Sequence, residues 1–253
     1  MSRQLPLNLR LKDGSSFENF LPTANREAIE HLRAAVTARA AGKTGDDSRD
    51  GGGRTASGTA VEPVLFVCGA PGTGKTHLLQ AACRQAQESG LSAIYIPLAE
   101  AVQLAPTLLE DLEQTRLVCI DDVERIAGNA EWEAALFALV ERLRASGAVL
   151  IAAGARPPRE LGLKLPDLAT RLGWGPVYAL ALLSDADKIE TVRLRARRRG
   201  LDVPDDVARY ILNRHPRDLD SLFALLDRLD VASLAHQRRL TIPFLRSIEE
   251  QKT

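Results

Sequence analysis

Residues Gly69-Ala70-Pro71-Gly72-Thr73-Gly74-Lys75-Thr76 constrain the fold of this chain more than any other feature. An apolar run, Val64-Leu65-Phe66-Val67-Cys68, leads straight into the first glycine. A helical pattern, His77-Leu78-Leu79-Gln80-Ala81-Ala82, follows the last threonine. Strand, glycine-rich turn and helix, in that order, are the setting of a phosphate-binding loop. The glycines let backbone N–H groups close around phosphate oxygens. The helix start adds free N–H groups and a partial positive charge. In such a loop Lys75 reaches the β- and γ-phosphates, and the Thr76 hydroxyl ligates Mg²⁺. The sequence therefore predicts a site for ADP or ATP with Mg²⁺, built from Gly69, Ala70, Pro71, Gly72, Thr73, Gly74, Lys75 and Thr76, with His77 adjoining. The plain alternative is a glycine-rich turn before an ordinary helix. Agreement along the whole motif and at both flanks disfavours it.

A chain of 253 residues, 45% apolar, can bury a sizeable core in one or two domains. Lys+Arg and Asp+Glu both number 33, so no global charge draws the protein onto nucleic acid. Cys68, Cys83 and Cys119 lack metal-ligand spacing and read as small buried residues in a reducing compartment. No stretch is long and apolar enough to span a membrane, and Met1–Pro6 has no signal-peptide character. The expected location is the cytoplasm, with no membrane partner.

Residues 42–60 contain no large apolar side chain and read as a mobile loop, because burial there cannot offset ordering entropy. A helix is predicted before it, from about Arg26 to Ala40, with Ile29, Leu32 and Val36 on one face. From Val64 onward strands and helices alternate. Ala93–Ile96, Leu117–Ile120, Ala148–Ala153 and Val177–Leu180 are the further strand candidates. Trp132, Leu136, Leu139, Val140 and Leu143 mark an amphipathic helix between the third and fourth strands. Such alternation predicts a parallel sheet with helices on both faces and a ligand at the carboxyl ends of the strands. After Leu183 only helices are expected. Ser184 is a candidate N-cap for a helix to about Arg199, ended by Gly200. Pro204 can start a second, Arg217 a third carrying Leu219, Leu222, Leu226 and Leu229, and Thr241-Ile242-Pro243 a short last one. The expected division is an N-terminal tail at 1–12, an α/β domain at 13–183 and a small all-α domain at 184–253.

Leu117-Val118-Cys119-Ile120-Asp121-Asp122 is an apolar strand ending in two carboxylates. In phosphate-binding-loop ATPases the first such acid, here Asp121, helps Thr76 hold Mg²⁺. The second, Asp122, is placed to polarise an attacking water. Together the loop, the Asp-Asp strand and the C-terminal helices resemble AAA+ ATPases of the bacterial initiator DnaA branch. The resemblance implies an AAA+ phosphate-binding-loop domain with a parallel sheet flanked by helices, followed by a helical lid. It also implies site residues. Leu168-Ala169-Thr170-Arg171-Leu172-Gly173-Trp174-Gly175 looks like the branch's arginine-finger segment, which makes Arg171 the guanidinium offered to a neighbour's ATP. The alternative is a surface arginine before a buried Trp174. Pro216-Arg217-Asp218-Leu219 resembles the lid's sensor-2 motif, which turns Arg217 toward the chain's own nucleotide. Phe17-Glu18-Asn19-Phe20 resembles the segment near the adenine. One departure stands out. Where the family places a polar sensor-1 residue, this chain has Ala155, which puts intrinsic hydrolysis in doubt.

With Thr253 soon after the lid, the initiator's DNA-binding domain is not expected to follow it, nor the initiator's long N-terminal domain to precede the α/β domain. The start of the chain, Gln4-Leu5-Pro6-Leu7-Asn8-Leu9, resembles a sliding-clamp-binding peptide, in which Gln4 makes polar contacts and Leu5, Leu7 and Leu9 are apolar anchors. These likenesses point to DnaA-related regulators of replication initiation. They imply three partners: the sliding clamp (the polymerase β subunit), the initiator DnaA, and DNA reached indirectly through the clamp. Homo-oligomerisation is left open. Two rival readings remain at this stage. Intact Lys75, Thr76, Asp121 and Asp122 suit a stand-alone AAA+ ATPase that loads helicase or remodels a partner. The run Arg193, Arg195, Arg197, Arg198 and Arg199 could serve nucleic acid, although its spread around a helix favours a solvated, paired face.

Overall fold

The computed structural model describes residues 15–40, 63–112, 114–236 and 240–250. Gln4, Leu5, Leu7 and Leu9 of the clamp-like peptide, and the segment 42–60, lie outside the described residues. Five strands form one sheet: β1 (Val64–Cys68), β2 (Ala93–Pro97), β3 (Leu117–Asp121), β4 (Val149–Gly154) and β5 (Val177–Ala179), in the order β2-β3-β4-β1-β5. Every neighbouring pair is parallel. β1, β3 and β4 are buried along their whole length. This is why they read as unbroken apolar runs and not as alternating ones: a parallel sheet is covered on both faces. Each strand expected from sequence forms, displaced by at most one residue at an end.

On one face Phe66, Val118, Ile120 and Leu150 pack with Trp132, Leu136, Leu139 and Leu143 of α4 (Ala130–Ser146). Leu168 and Leu172 of α5 (Pro166–Leu172) complete that cluster. Across the sheet, α2 (Lys75–Glu88) lies against β2, β3 and β4, and α1 (Arg26–Ala40) lies against α2. A short helix, α3 (Leu98–Ala101), and single 3₁₀ turns at Pro106–Leu109, Val123–Ile126 and Pro158–Glu160 were not legible as periodic patterns. They are too short to show one. All three cysteines are free and buried, as expected.

The chain divides into two compact units. One holds residues 15–17 and 24–181, and the other holds residues 18–23, 182–236 and 240–250. The second unit contains α6 (Asp185–Arg197), α7 (Asp205–Arg214), α8 (Leu219–His236) and α9 (Ile242–Glu250). Val192, Val207, Ile211, Leu222, Leu226 and Phe244 share its core. Ser184 caps α6 as expected, in a full capping box with Asp187. No helix among the described residues is long and apolar enough to cross a membrane.

Candidate phosphate-binding site

β1 leads into Gly69, and the backbone there is tightly enclosed. A Cβ at Gly69 would sit 2.9 Å from the Leu180 carbonyl oxygen and 2.9 Å from Thr73 Oγ1. Only glycine allows that approach. Gly74 caps α2 with φ of 92°, again a backbone shape that suits glycine. Thr73 is buried, and its hydroxyl donates to the Ala70 carbonyl at 2.9 Å, drawing the loop tight. Ala70, Pro71 and Gly72 remain exposed at the tip. Lys75 Nζ donates to the Gly69 carbonyl at 2.6 Å and to the Ala70 carbonyl at 3.2 Å. The ammonium is therefore held across the loop that α2's free N–H groups face.

Asp121 ends β3 with no exposed surface, yet each of its oxygens has a donor. Its Oδ2 accepts from Thr76 Oγ1 at 2.6 Å and from the Tyr95 hydroxyl at 2.9 Å, and its Oδ1 accepts the Asp122 N–H at 3.0 Å. Thr76 spends its only proton on Asp121, so its lone pairs stay free for a cation. Among the described residues no three His, Cys, Asp or Glu side chains gather as a metal cluster. One hydroxyl and one carboxylate are nonetheless a set that fits Mg²⁺, which keeps several waters and draws further ligands from substrate phosphates.

Asp122 has a left-handed backbone, with φ of 55°. Burial, then the charges of Asp121 and Glu124, push its carboxyl up from the ordinary range, while Arg125 and Lys75 pull the other way. A carboxylate with raised proton affinity is the stronger base. Burial, then Asp121, also drives the Tyr95 phenol far up, so it stays protonated and donates.

Several site residues escaped the sequence. Tyr95 read only as part of an apolar strand, and it reaches Asp121 because the parallel register sets it opposite Cys119, two residues before that acid. Ala155 is exposed and offers no polar side chain. Its N–H donates to Glu124 Oε2 at 3.0 Å, so a carboxylate from the 3₁₀ turn after β3 stands at the end of β4. No motif marked Glu124. His77 turns its Nε2 to the Ser16 carbonyl at 2.8 Å.

Arg171 sits in the last turn of α5, its guanidinium carbon 3.7 Å from the Trp174 ring centroid. Its Nε is 2.7 Å from Glu141 Oε1, an ion contact without hydrogen-bond alignment. Trp174 is 43% exposed, which corrects the alternative of a buried tryptophan. Arg144 also approaches that ring, at 5.4 Å. In the second unit Arg217 bonds Asp185 at 2.6 Å, with both side chains about half-exposed. The arginine run of α6 is largely paired: Arg193 with Glu190 and Asp205, Arg197 with Glu190, Arg199 with Asp227, and Arg195 over the Phe223 ring.

Residues 54–179 match the family described as the bacterial DnaA ATPase domain, and residues 185–248 match the family described as the Hda lid domain. The chain is an Hda-like, DnaA-related AAA+ protein. Solved structures agree on the fold. Replication initiator DnaA bound to AMPPCP and single-stranded DNA superposes with a TM-score of 0.66 at 21% identity, covering 86% of this chain. The chain spans 65% of that initiator's length. AMPPCP-bound DnaA from Aquifex aeolicus gives 0.67 at 21% identity, covering 89% of this chain and 68% of that one. Domain III of DnaA from Thermotoga maritima gives 0.67 at 20% identity, covering 96% of this chain and 98% of that one.

Proposed function

We propose that this Hda-like protein restrains replication initiation by making the initiator DnaA hydrolyse its ATP. The observation that carries the reading is the pairing of a DnaA-type ATPase domain with an Hda-type lid in one chain. Its own loop binds ADP or ATP. Lys75 would neutralise the phosphates, Thr76 and Asp121 would hold Mg²⁺, and Arg217 of the lid is the sensor-2 candidate. A bound Mg²⁺ would supply charge neutralisation to the phosphates. This chain's residues position it and shield the site. The likeness to AMPPCP-bound DnaA supports this assignment.

The activating group is Arg171, offered in trans. A guanidinium suits the task because its planar donors spread over several phosphate oxygens at once. Its perch on exposed Trp174 supports the role, since a stacked arginine is presented at a surface and not lost in the core. The tail at 1–12 brings the protein to the DNA-loaded clamp through Gln4, Leu5, Leu7 and Leu9, in the cytoplasm. The AAA+ domain spans 13–183 and the lid 184–253. The deciding experiment is single-turnover decay of DnaA-bound ATP with clamp and DNA present. Parent protein accelerates the decay. An arginine finger typically supplies on the order of 10³–10⁵ in rate, so Arg171→Ala should lose nearly all of the stimulation. Stimulation equal to the parent's by Arg171→Ala rejects the reading.

A second reading is a stand-alone AAA+ ATPase, as a helicase loader or remodelling factor. The intact Thr76–Asp121 pair and the raised proton affinity of Asp122 favour it. Steady turnover by the purified chain without clamp or DnaA would support it.

A further inference from the structure

A buried polar chain runs to Asp121 from the first described residue. Ser15 Oγ donates to Gln80 Oε1 at 3.0 Å, Gln80 hydrogen-bonds the Tyr95 phenol, and Tyr95 donates to Asp121 Oδ2. With its Oε1 facing Ser15, the Gln80 amide turns its NH₂ toward Tyr95. Every donor therefore points toward Asp121, the arrangement in which successive hydrogen bonds polarise one another. Ser15, Gln80, Tyr95 and Asp121 are all buried. Packing alone would be satisfied by phenylalanine at 95 and an aliphatic residue at 80, so the polar atoms need another reason.

We propose that Tyr95 is a positioning residue for Asp121, fixing the carboxylate so that Thr76 and Asp121 take Mg²⁺ together, with Gln80 and Ser15 orienting the phenol. The inference rests on the assignment of Thr76 and Asp121 as the magnesium pair. A carboxylate at a strand end is free to rotate about its last torsion. Thr76 and Tyr95 together hold Oδ2, and the Asp122 N–H holds Oδ1. Without Tyr95 the Thr76 hydroxyl holds Oδ2 alone, and the cation loses a preset pair.

The test is calorimetric titration of the full chain with ADP and ATP, once in Mg²⁺ and once in EDTA. Tyr95→Phe keeps the ring and removes one oxygen. It should cut the gain in affinity from Mg²⁺ by about tenfold, the scale of a lost hydrogen bond to a charged group, and leave the EDTA affinity near the parent's, while the stranded Gln80 amide lowers the melting temperature. Gln80→Met should give a smaller loss in the same direction, and serves alone if Tyr95→Phe does not fold. Equal losses with and without Mg²⁺, or an undiminished gain, overturn the proposal. Asp121→Asn separates the two levels. If it abolishes the gain while Tyr95→Phe keeps it, only the positioning role falls. If Asp121→Asn also keeps the gain, the magnesium pair falls and the proposal with it.

Discussion

Lys75 turns its ammonium to the Gly69 and Ala70 carbonyls, and a bound nucleotide would replace those weaker acceptors with phosphate. Lys75→Ala should therefore lower ADP and ATP affinity at least tenfold, about 1.4 kcal/mol, as read by calorimetry. Asp122 makes a prediction about pH. Its carboxyl is raised above the ordinary value of 3.8, first by burial and then by Asp121 and Glu124. The folded state thus holds this proton more tightly than the unfolded chain does. The stability this group contributes is complete below 3.8 and is lost as pH rises through the raised value. Asparagine carries no charge to lose and tolerates the left-handed backbone. Asp122→Asn should melt at a higher temperature than the parent at pH 7, and the difference should vanish as the pH falls below 3.8. A difference that persists in acid would assign the strain to the backbone and not to the charge.

Among the elements, α5 depends on an acid outside it. Glu133 of α4 is almost fully buried, and its carboxylate accepts the N–H groups of Gly128 at 2.7 Å, Lys164 at 3.1 Å and Leu165 at 2.7 Å. The last two residues lead directly into α5, the helix that carries Arg171. Removing the carboxylate strands three backbone donors, each costing about 1–3 kcal/mol when buried. Glu133→Ala should lower unfolding free energy in urea by roughly 3 kcal/mol or more, and Glu133→Gln, which keeps one acceptor oxygen, by less. At α6 the cap is local and exposed. Ser184→Ala should cost about 1 kcal/mol, without altering nucleotide affinity at the loop.

For the whole molecule, a ligand that binds only the folded chain stabilises it by mass action. Mg²⁺ with ADP at about a hundred times its dissociation constant should add about 2.7 kcal/mol, visible as a rise in melting temperature. Lys75→Ala should cancel most of that rise. The same ligand without Mg²⁺ should give a smaller one.

Much of this molecule was legible in its sequence because the signals are local. Unbroken apolar runs required strands covered on both faces, so β1, β3 and β4 could be placed to within a residue. Ser184 marked the start of α6, because a cap depends only on neighbours three or four residues away, whereas the helix ends at Arg197, two residues short of the expected end, and left-handed Gly200 follows the cap. The loop at 69–76 announced a phosphate site because its glycines and lysine are contiguous. Other features depend on neighbours that only the fold supplies. The order β2-β3-β4-β1-β5 sets the carboxyl ends of β1 and β3 on either side of β4, where Ala155's N–H meets Glu124. The register of β2 on β3 delivers Tyr95 to Asp121. The ion contact of Arg171 with Glu141 depends on how α5 ends beside α4. Each of these contacts joins residues whose spacing along the chain has no period to read, so the sequence determined the elements and the loop chemistry, and tertiary packing decided which side chains surround Asp121.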